Sequence, residues 1–193
     1  MKEVLVEVSA RHIHVTAEDF KILFNKDELT KYSDLSQPGH FAAVEQVKLI
    51  GEKGEIDNVR ILGPFRSKTQ VELSKTDCYA LGVEAPLRLS GDLENSGHIK
   101  VVGPAGEIQL NSGVIVALRH LHISTTKAEE WGLKDGQIIS VRVADGDKGD
   151  IKDMTFDEIV VRTGKDFKAS VHIDTDEANA ANINKSTTGI IVE

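Results

Sequence analysis

The sequence predicts a mainly β protein: two similar small β-barrels with short capping helices and an active site at their junction. Three observations carry this expectation. Apolar residues recur with a period of two along most of the chain. The alternating runs are short and broken by glycine turns, as in barrels and sandwiches. A local unit of helix, glycine stop and strand also recurs. It appears in Cys78-Tyr79-Ala80-Leu81-Gly82-Val83 before Leu87-Arg88-Leu89, and again in Glu129-Glu130-Trp131-Gly132-Leu133 before Ile138-Ile139-Ser140-Val141.

Taken in order, strands are expected at 3–9, 45–50, 56–62, 69–74, 86–90, 98–103, 107–110, 113–118, 137–143, 157–162 and 168–173. Gly51-Glu52-Lys53-Gly54 and Gly103-Pro104-Ala105-Gly106 each supply turn chemistry between two runs. Asp145-Gly146-Asp147-Lys148-Gly149-Asp150 opens a longer connection. The helices are few. Thr16 is a suitable N-cap for a helix that places Phe20, Leu23 and Phe24 at helical spacing. Thr126-Lys127-Ala128-Glu129 reads as a capping box, with Gly132 as the stop and Trp131 as core filler. Asp174-Thr175-Asp176-Glu177 opens an acidic first turn, which suits the positive end of a helix dipole. No linker rich in Pro, Ser or Gly separates two halves, so they are expected to pack closely and share a pocket.

Composition narrows the function. The net charge of −8, from 31 acids against 23 bases, argues against nucleic acid, whose phosphates demand a positive face. A small polyanion remains compatible if Arg and metal cluster locally. The single cysteine, Cys78, forms no internal disulfide, and a buried thiol in a reducing, cytoplasmic compartment is expected. No apolar stretch is long enough to span a membrane, and Met1-Lys2-Glu3-Val4-Leu5-Val6-Glu7 enters an alternating strand at once, unlike a signal peptide.

The chemistry lies in a doubled motif. Arg11-His12-Ile13-His14-Val15-Thr16 and Arg119-His120-Leu121-His122-Ile123-Ser124 match position by position, each after a β-branched apolar run. On a strand, both imidazoles of His-x-His leave from one face, which makes half of a transition-metal site. Further ligands are needed. His172 alternates with Val171 and Ile173, and Glu72 sits in a similar alternating run. If all six converge, they form two three-ligand sets with open coordination, the catalytic rather than the structural zinc pattern. Arg66, in Gly63-Pro64-Phe65-Arg66-Ser67 at a strand end, has the planar fork suited to phosphate or carboxylate. Two other readings stay open. His12-x-His14 with Glu18 also resembles the metal motif of cupin barrels, which points to a single-metal oxygenase or isomerase. Metals that merely clip two barrels together would make a binding or scaffold protein.

These residues also carry a family resemblance. Ser9-Ala10-Arg11-His12-Ile13-His14, Gln37-Pro38-Gly39, Asn58-Val59-Arg60-Ile61-Leu62-Gly63-Pro64-Phe65-Arg66, Thr69-Gln70-Val71-Glu72, Ser112-Gly113-Val114-Ile115-Val116-Ala117 running into Arg119-His120-Leu121-His122, and His172-Ile173-Asp174-Thr175-Asp176-Glu177-Ala178-Asn179-Ala180-Ala181 together resemble the phosphate propanoyltransferase family of phosphotransacylases. The resemblance implies transfer of a short acyl group, propanoyl or acetyl, between coenzyme A and inorganic phosphate, with acyl phosphate as the other product. It implies two zinc ions per chain, with ligands His12, His14, Glu72, His120, His122 and His172. It implies that Arg66 holds phosphate and acts in catalysis, and that Ser9, Arg11, Arg60, Leu62 and Asn179 contact coenzyme A. It also implies a homodimer and a discontinuous domain division, 1–10 with 119–193 and 11–118. Family members housed in bacterial microcompartments carry an N-terminal extension. This chain starts directly at its first strand, so the free cytosol is the expected location.

Overall fold

A computed structural model describes residues 1–144 and 149–192. Of the connection expected at 145–150, residues 145–148 therefore lie outside the described residues. The chain begins with β1 (Glu3–Val8), β2 (His12–His14), α1 (Ala17–Phe24), β3 (Lys31–Asp34) and β4 (Phe41–Ile50). It continues through β5 (Glu55–Gly63), β6 (Gln70–Glu72), α2 (Lys75–Leu81), β7 (Leu87–Arg88), β8 (Gly97–Val102) and β9 (Glu107–Ala117). Then follow β10 (His120–Ser124), α3 (Thr125–Trp131), β11 (Ile138–Val143), β12 (Met154–Gly164), β13 (Ser170–Ile173), α4 (Thr175–Ala181) and β14 (Ser186–Val192).

These elements form two compact units, one of Met1–Ala10, Ser36–Pro38 and Leu118–Glu193, the other of Arg11–Leu35 and Gly39–Ala117. In the first unit the strands close a barrel in the order β1-β13-β10-β12-β11-β14. In the second, β4-β5-β2-β6-β9 is closed by β8, which pairs with both β4 and β9. Each unit is thus a six-stranded barrel. Closure removes the unpaired edges that an open sheet leaves exposed.

The two barrels share one topology. β2 runs parallel to β5 and antiparallel to β6, and β6 runs parallel to β9. β10 runs parallel to β12 and antiparallel to β13, and β13 runs parallel to β1. The chain order β2-α1-β4-β5-β6-α2-β8-β9 therefore recurs as β10-α3-β11-β12-β13-α4-β14, and β1 takes the last place. A strand from the start of the chain completes the barrel built by its end. This topology corrects one expectation. The helix in Cys78–Val83 matches α4, not the helix at Glu129–Leu133, whose counterpart is α1. Helix, glycine stop and strand follow helices of both kinds, so the local pattern does not separate them.

The helices plug the barrels. Phe20 and Leu23 of α1, and Cys78 and Leu81 of α2, join Ile13, Leu49, Ile61 and Val71 in one core. Ala128 of α3, and Ala178 and Ala181 of α4, join Val6, Leu121, Ile159 and Val171 in the other, with Trp131 packed partly buried against it. Phe20 is fully buried and its ring lies 4.9 Å from Phe24 and 5.3 Å from Phe65. Phe20→Ala is expected to cost about 3–5 kcal/mol of stability, read as a lowered denaturant midpoint. An unchanged midpoint would show that α1 does not anchor its barrel.

Local chemistry sets the helix ends. Thr16 accepts from the Asp19 N–H at 3.0 Å, as its side-chain type suggests. The cap of α3 is Ser124, two residues before the expected Thr126, because β10 runs in extended backbone straight into the helix. Gly132 ends α3 at φ +65°. The runs expected at 107–110 and 113–118 are one strand, β9. Gly113 carries it past β6 at φ +132°, where a Cβ would come within 2.9 Å of the Thr69 carbonyl oxygen. The His-x-His segments and residues 186–192 are also strands. No helix of the described residues is long and apolar enough to cross a membrane.

Candidate metal centres

β2 lies between β5 and β6, in register His12 with Glu72 and His14 with Gln70. Ile13 and Val71 alternate with these residues and enter the core, which turns His12, His14 and Glu72 to the opposite face. All three are buried, at 6%, 3% and 8% exposure. His12 Nε2 is 3.5 Å from Glu72 Oε2, and one ligand atom from each residue falls in a group within 4.8 Å. His14 Nδ1–H donates to the Leu62 carbonyl at 3.1 Å, which leaves Nε2 to face the group.

Electrostatics favour a cation here. Burial, followed by the charges of His12 and Arg66, pushes the pKa of His14 well below its ordinary value and keeps the ring neutral. Burial by itself would raise the Glu72 carboxyl. The charge and hydrogen bond of His12, with the hydrogen bond from Ser90, outweigh it and hold the group well below the usual carboxylate range. A buried carboxylate facing two imidazoles calls for positive charge, and a divalent cation supplies it while both rings stay neutral.

The same register builds the other triad. β10 lies between β12 and β13, with His120 opposite His172 and His122 opposite Ser170. The imidazole of His120 lies 4.7 Å from that of His122 and 5.1 Å from that of His172, and their ligand atoms form the second group within 4.8 Å. His120 Nδ1–H donates to the Leu118 carbonyl at 2.8 Å, so here too the tautomer presents Nε2. The donor chemistry of both triads fits zinc, with three protein ligands each.

Among the described residues, the groups able to hold a metal ion are therefore the six side chains picked out by sequence, sorted three and three. Glu18 is exposed in the first turn of α1 and stands outside both triads. The cupin-like grouping is not formed.

Arg66 follows β5 across the cis Gly63–Pro64 bond, and its backbone N–H donates to the Val15 carbonyl at 2.9 Å. Its guanidinium donates to Ser90 Oγ at 3.1 Å. Ser90 also accepts from Gln70 Nε2 at 2.9 Å, and Gln70 donates to Glu72 Oε1 at 2.6 Å. One polar chain thus links Arg66 to the Glu72 carboxylate. Burial and then the charge of Arg66 lower the pKa of His40.

Other site residues are placed as follows. In the second unit, Arg60 pairs with His12 and donates to the carbonyls of Ala43 and Val44. Leu62 supplies the carbonyl that orients His14. Arg11, 43% exposed, binds the buried Asp77 at 2.8 Å. In the first unit, the Ser9 N–H donates to the Ile173 carbonyl at 2.8 Å, one residue after His172. Asn179 is exposed on α4.

Sequence reasoning gave no role to Gln37, Gln70, Ser90 or Ser170. Gln70 was detectable, because it lies two residues before Glu72 on the same strand face. Gln37 was not. It donates to Ser170 Oγ at 2.8 Å, which lies 3.1 Å from His172 Nε2, across more than a hundred residues of chain.

A family model described as phosphate propanoyltransferase matches residues 5–184, a span that contains both triads. The chain belongs to the phosphate propanoyltransferase family. It is 46% identical over 191 residues to the phosphate propanoyltransferase of Thermotoga maritima, covering 98% of this chain and 89% of that protein. It is 43% identical over 189 residues to that of Clostridioides difficile, covering 97% and 88%. It is 45% identical over 174 residues to that of Salmonella typhimurium, covering 90% and 81%. Family membership makes the chain an acyltransferase.

Proposed function

We propose that this chain transfers a propanoyl or acetyl group between the sulfur of coenzyme A and inorganic phosphate, with two zinc ions per chain. The observation that carries the reading is the doubled triad, with a backbone carbonyl fixing the imidazole tautomer in each. His12, His14 and Glu72 hold one ion, and His120, His122 and His172 hold the other. The domains of this reading are 1–10 with 119–193 and 11–118, one ion to each. When bound, zinc supplies Lewis acidity toward a thioester carbonyl or a thiolate, with open coordination for substrate.

The side chains supply binding and orientation. Arg66 grips phosphate through its planar fork, and Ser90 and Gln70 hold that guanidinium in line with Glu72. A phosphate oxygen attacks the thioester carbon, the carbon–sulfur bond breaks with its electron pair going to sulfur, and the phosphate proton ends on the thiol. Acyl phosphate and coenzyme A are the products. Cys78 is 2% exposed and packed in a core, which supports direct attack by phosphate over a thiol acyl-enzyme. Arg11 and Arg60 have the charge to meet the phosphates of coenzyme A, and Ser9, Leu62 and Asn179 complete its contacts. A buried single cysteine fits a reducing compartment, so the enzyme is cytoplasmic in this reading, and it acts as a homodimer.

The test is to mix the protein with propanoyl- or acetyl-CoA, with and without phosphate, and to follow thiol release and bound metal. Phosphate-dependent thiol release with two zinc ions per chain is expected. Thiol release without phosphate, or one metal per chain, would overturn the reading.

A further inference from the structure

Glu7 lies on β1, in parallel register with His172, so the two side chains share a face of the barrel. Glu7 Oε2 is 3.6 Å from His172 Nε2. This is nearly the spacing of Glu72 Oε2 from His12 Nε2, 3.5 Å, in the other barrel. The Glu7 oxygen is shielded from solvent and accepts no hydrogen bond. A carboxylate oxygen kept from water without a donor is costly, and a nearby cation relieves that cost.

The shared topology sharpens the point. In the second barrel β9 stands where β1 stands in the first, and the residue in register with Glu72 is the fully buried Ile115. The pair Glu72–Ile115 thus has its counterpart in His172–Glu7. One barrel carries its acid on the strand after the His-x-His pair. The other carries histidine there, and its acid sits on the neighbouring strand. Without Glu7 the three-histidine centre has neutral donors only. With Glu7 both centres present one negative charge to a divalent ion.

We infer that Glu7 is the anionic member of the three-histidine centre and binds the metal ion that His120, His122 and His172 hold. The inference rests on the metal reading above. The carboxylate borders the triad on the His172 side.

The experiment is a Co²⁺ titration of the chelator-stripped full chain, wild type against Glu7→Gln, followed by visible absorption. Wild type is expected to take up two ions. In Glu7→Gln one of the two is expected to bind about 10–100-fold more weakly, with an altered ligand-field spectrum. The same titration in a His14→Ala background isolates the three-histidine centre and must show the same loss. Matching thermal unfolding of the stripped proteins establishes that the variants fold. If wild type binds two ions and Glu7→Gln binds both with unchanged affinity and spectrum, Glu7 has no such role. If wild type binds none, the metal reading itself fails and this inference falls with it.

Discussion

Replacing His120 by Ala is expected to lower turnover about 10³-fold, or about 4 kcal/mol in barrier height, and to remove one metal ion per chain. His120 is buried, its tautomer is set by Leu118, and it stands directly opposite His172. Its loss leaves two imidazoles where three were, and the remaining rings hold an ion weakly. Metal content by emission spectrometry and thiol release under saturating acyl-CoA check this together. Full turnover with two ions retained would remove the triad from the proposed mechanism. Chelation of both ions is expected to abolish turnover without unfolding the protein. Each barrel has its own apolar core of aliphatic side chains, unlike a small domain that folds only around its metal. Far-UV circular dichroism of the stripped protein tests that contrast.

Arg66→Ala is expected to reduce phosphate-dependent turnover by about 10²–10³-fold while metal content and unfolding midpoint stay close to wild type. The backbone N–H that ties residue 66 to Val15 survives the substitution. What goes is the guanidinium. Arg66→Lys keeps the charge and loses the fork, so only partial rescue is expected. Ser90→Ala separates binding from support. It removes the hydroxyl that joins Arg66 to Gln70 and leaves the cation in place. A smaller loss than in Arg66→Ala is therefore expected, mainly in the phosphate dependence. Equal turnover of Arg66→Ala and wild type at limiting phosphate would take Arg66 out of the phosphate site.

Much of this architecture was legible from side-chain order alone. The alternation of His12, Ile13 and His14 announced a strand with two imidazoles on one face, and β2 is such a strand. The αL stop at Gly132 and the N-cap at Thr16 follow from local backbone preferences that act within a few residues. Errors arose where a local pattern had more than one long-range use. The helix at 75–81 ends, like α3, in a glycine stop before a strand, yet its place in the barrel is that of α4. The expected break at 111–112 is absent because β9 runs on through Asn111 and Ser112, and Gly113 lets it pass close to the Thr69 carbonyl. Strand β14 was hidden by the threonines of its first half.

Sequence by itself determined the donor inventory: which residues can ligate, that they leave a strand on one side, and that the pattern occurs twice. Tertiary structure decided the partners. Glu72 reaches His12 because β6 pairs antiparallel with β2 across some sixty residues of chain, and His172 reaches His120 through the equivalent pairing of β13 with β10. The same closure drew β1 between β13 and β14 and brought Glu7 to His172. The physical reason lies in range. Side-chain alternation and helix capping depend on dihedral angles of neighbouring residues, whereas ring closure depends on which distant strands satisfy each other's backbone hydrogen bonds while burying a common core.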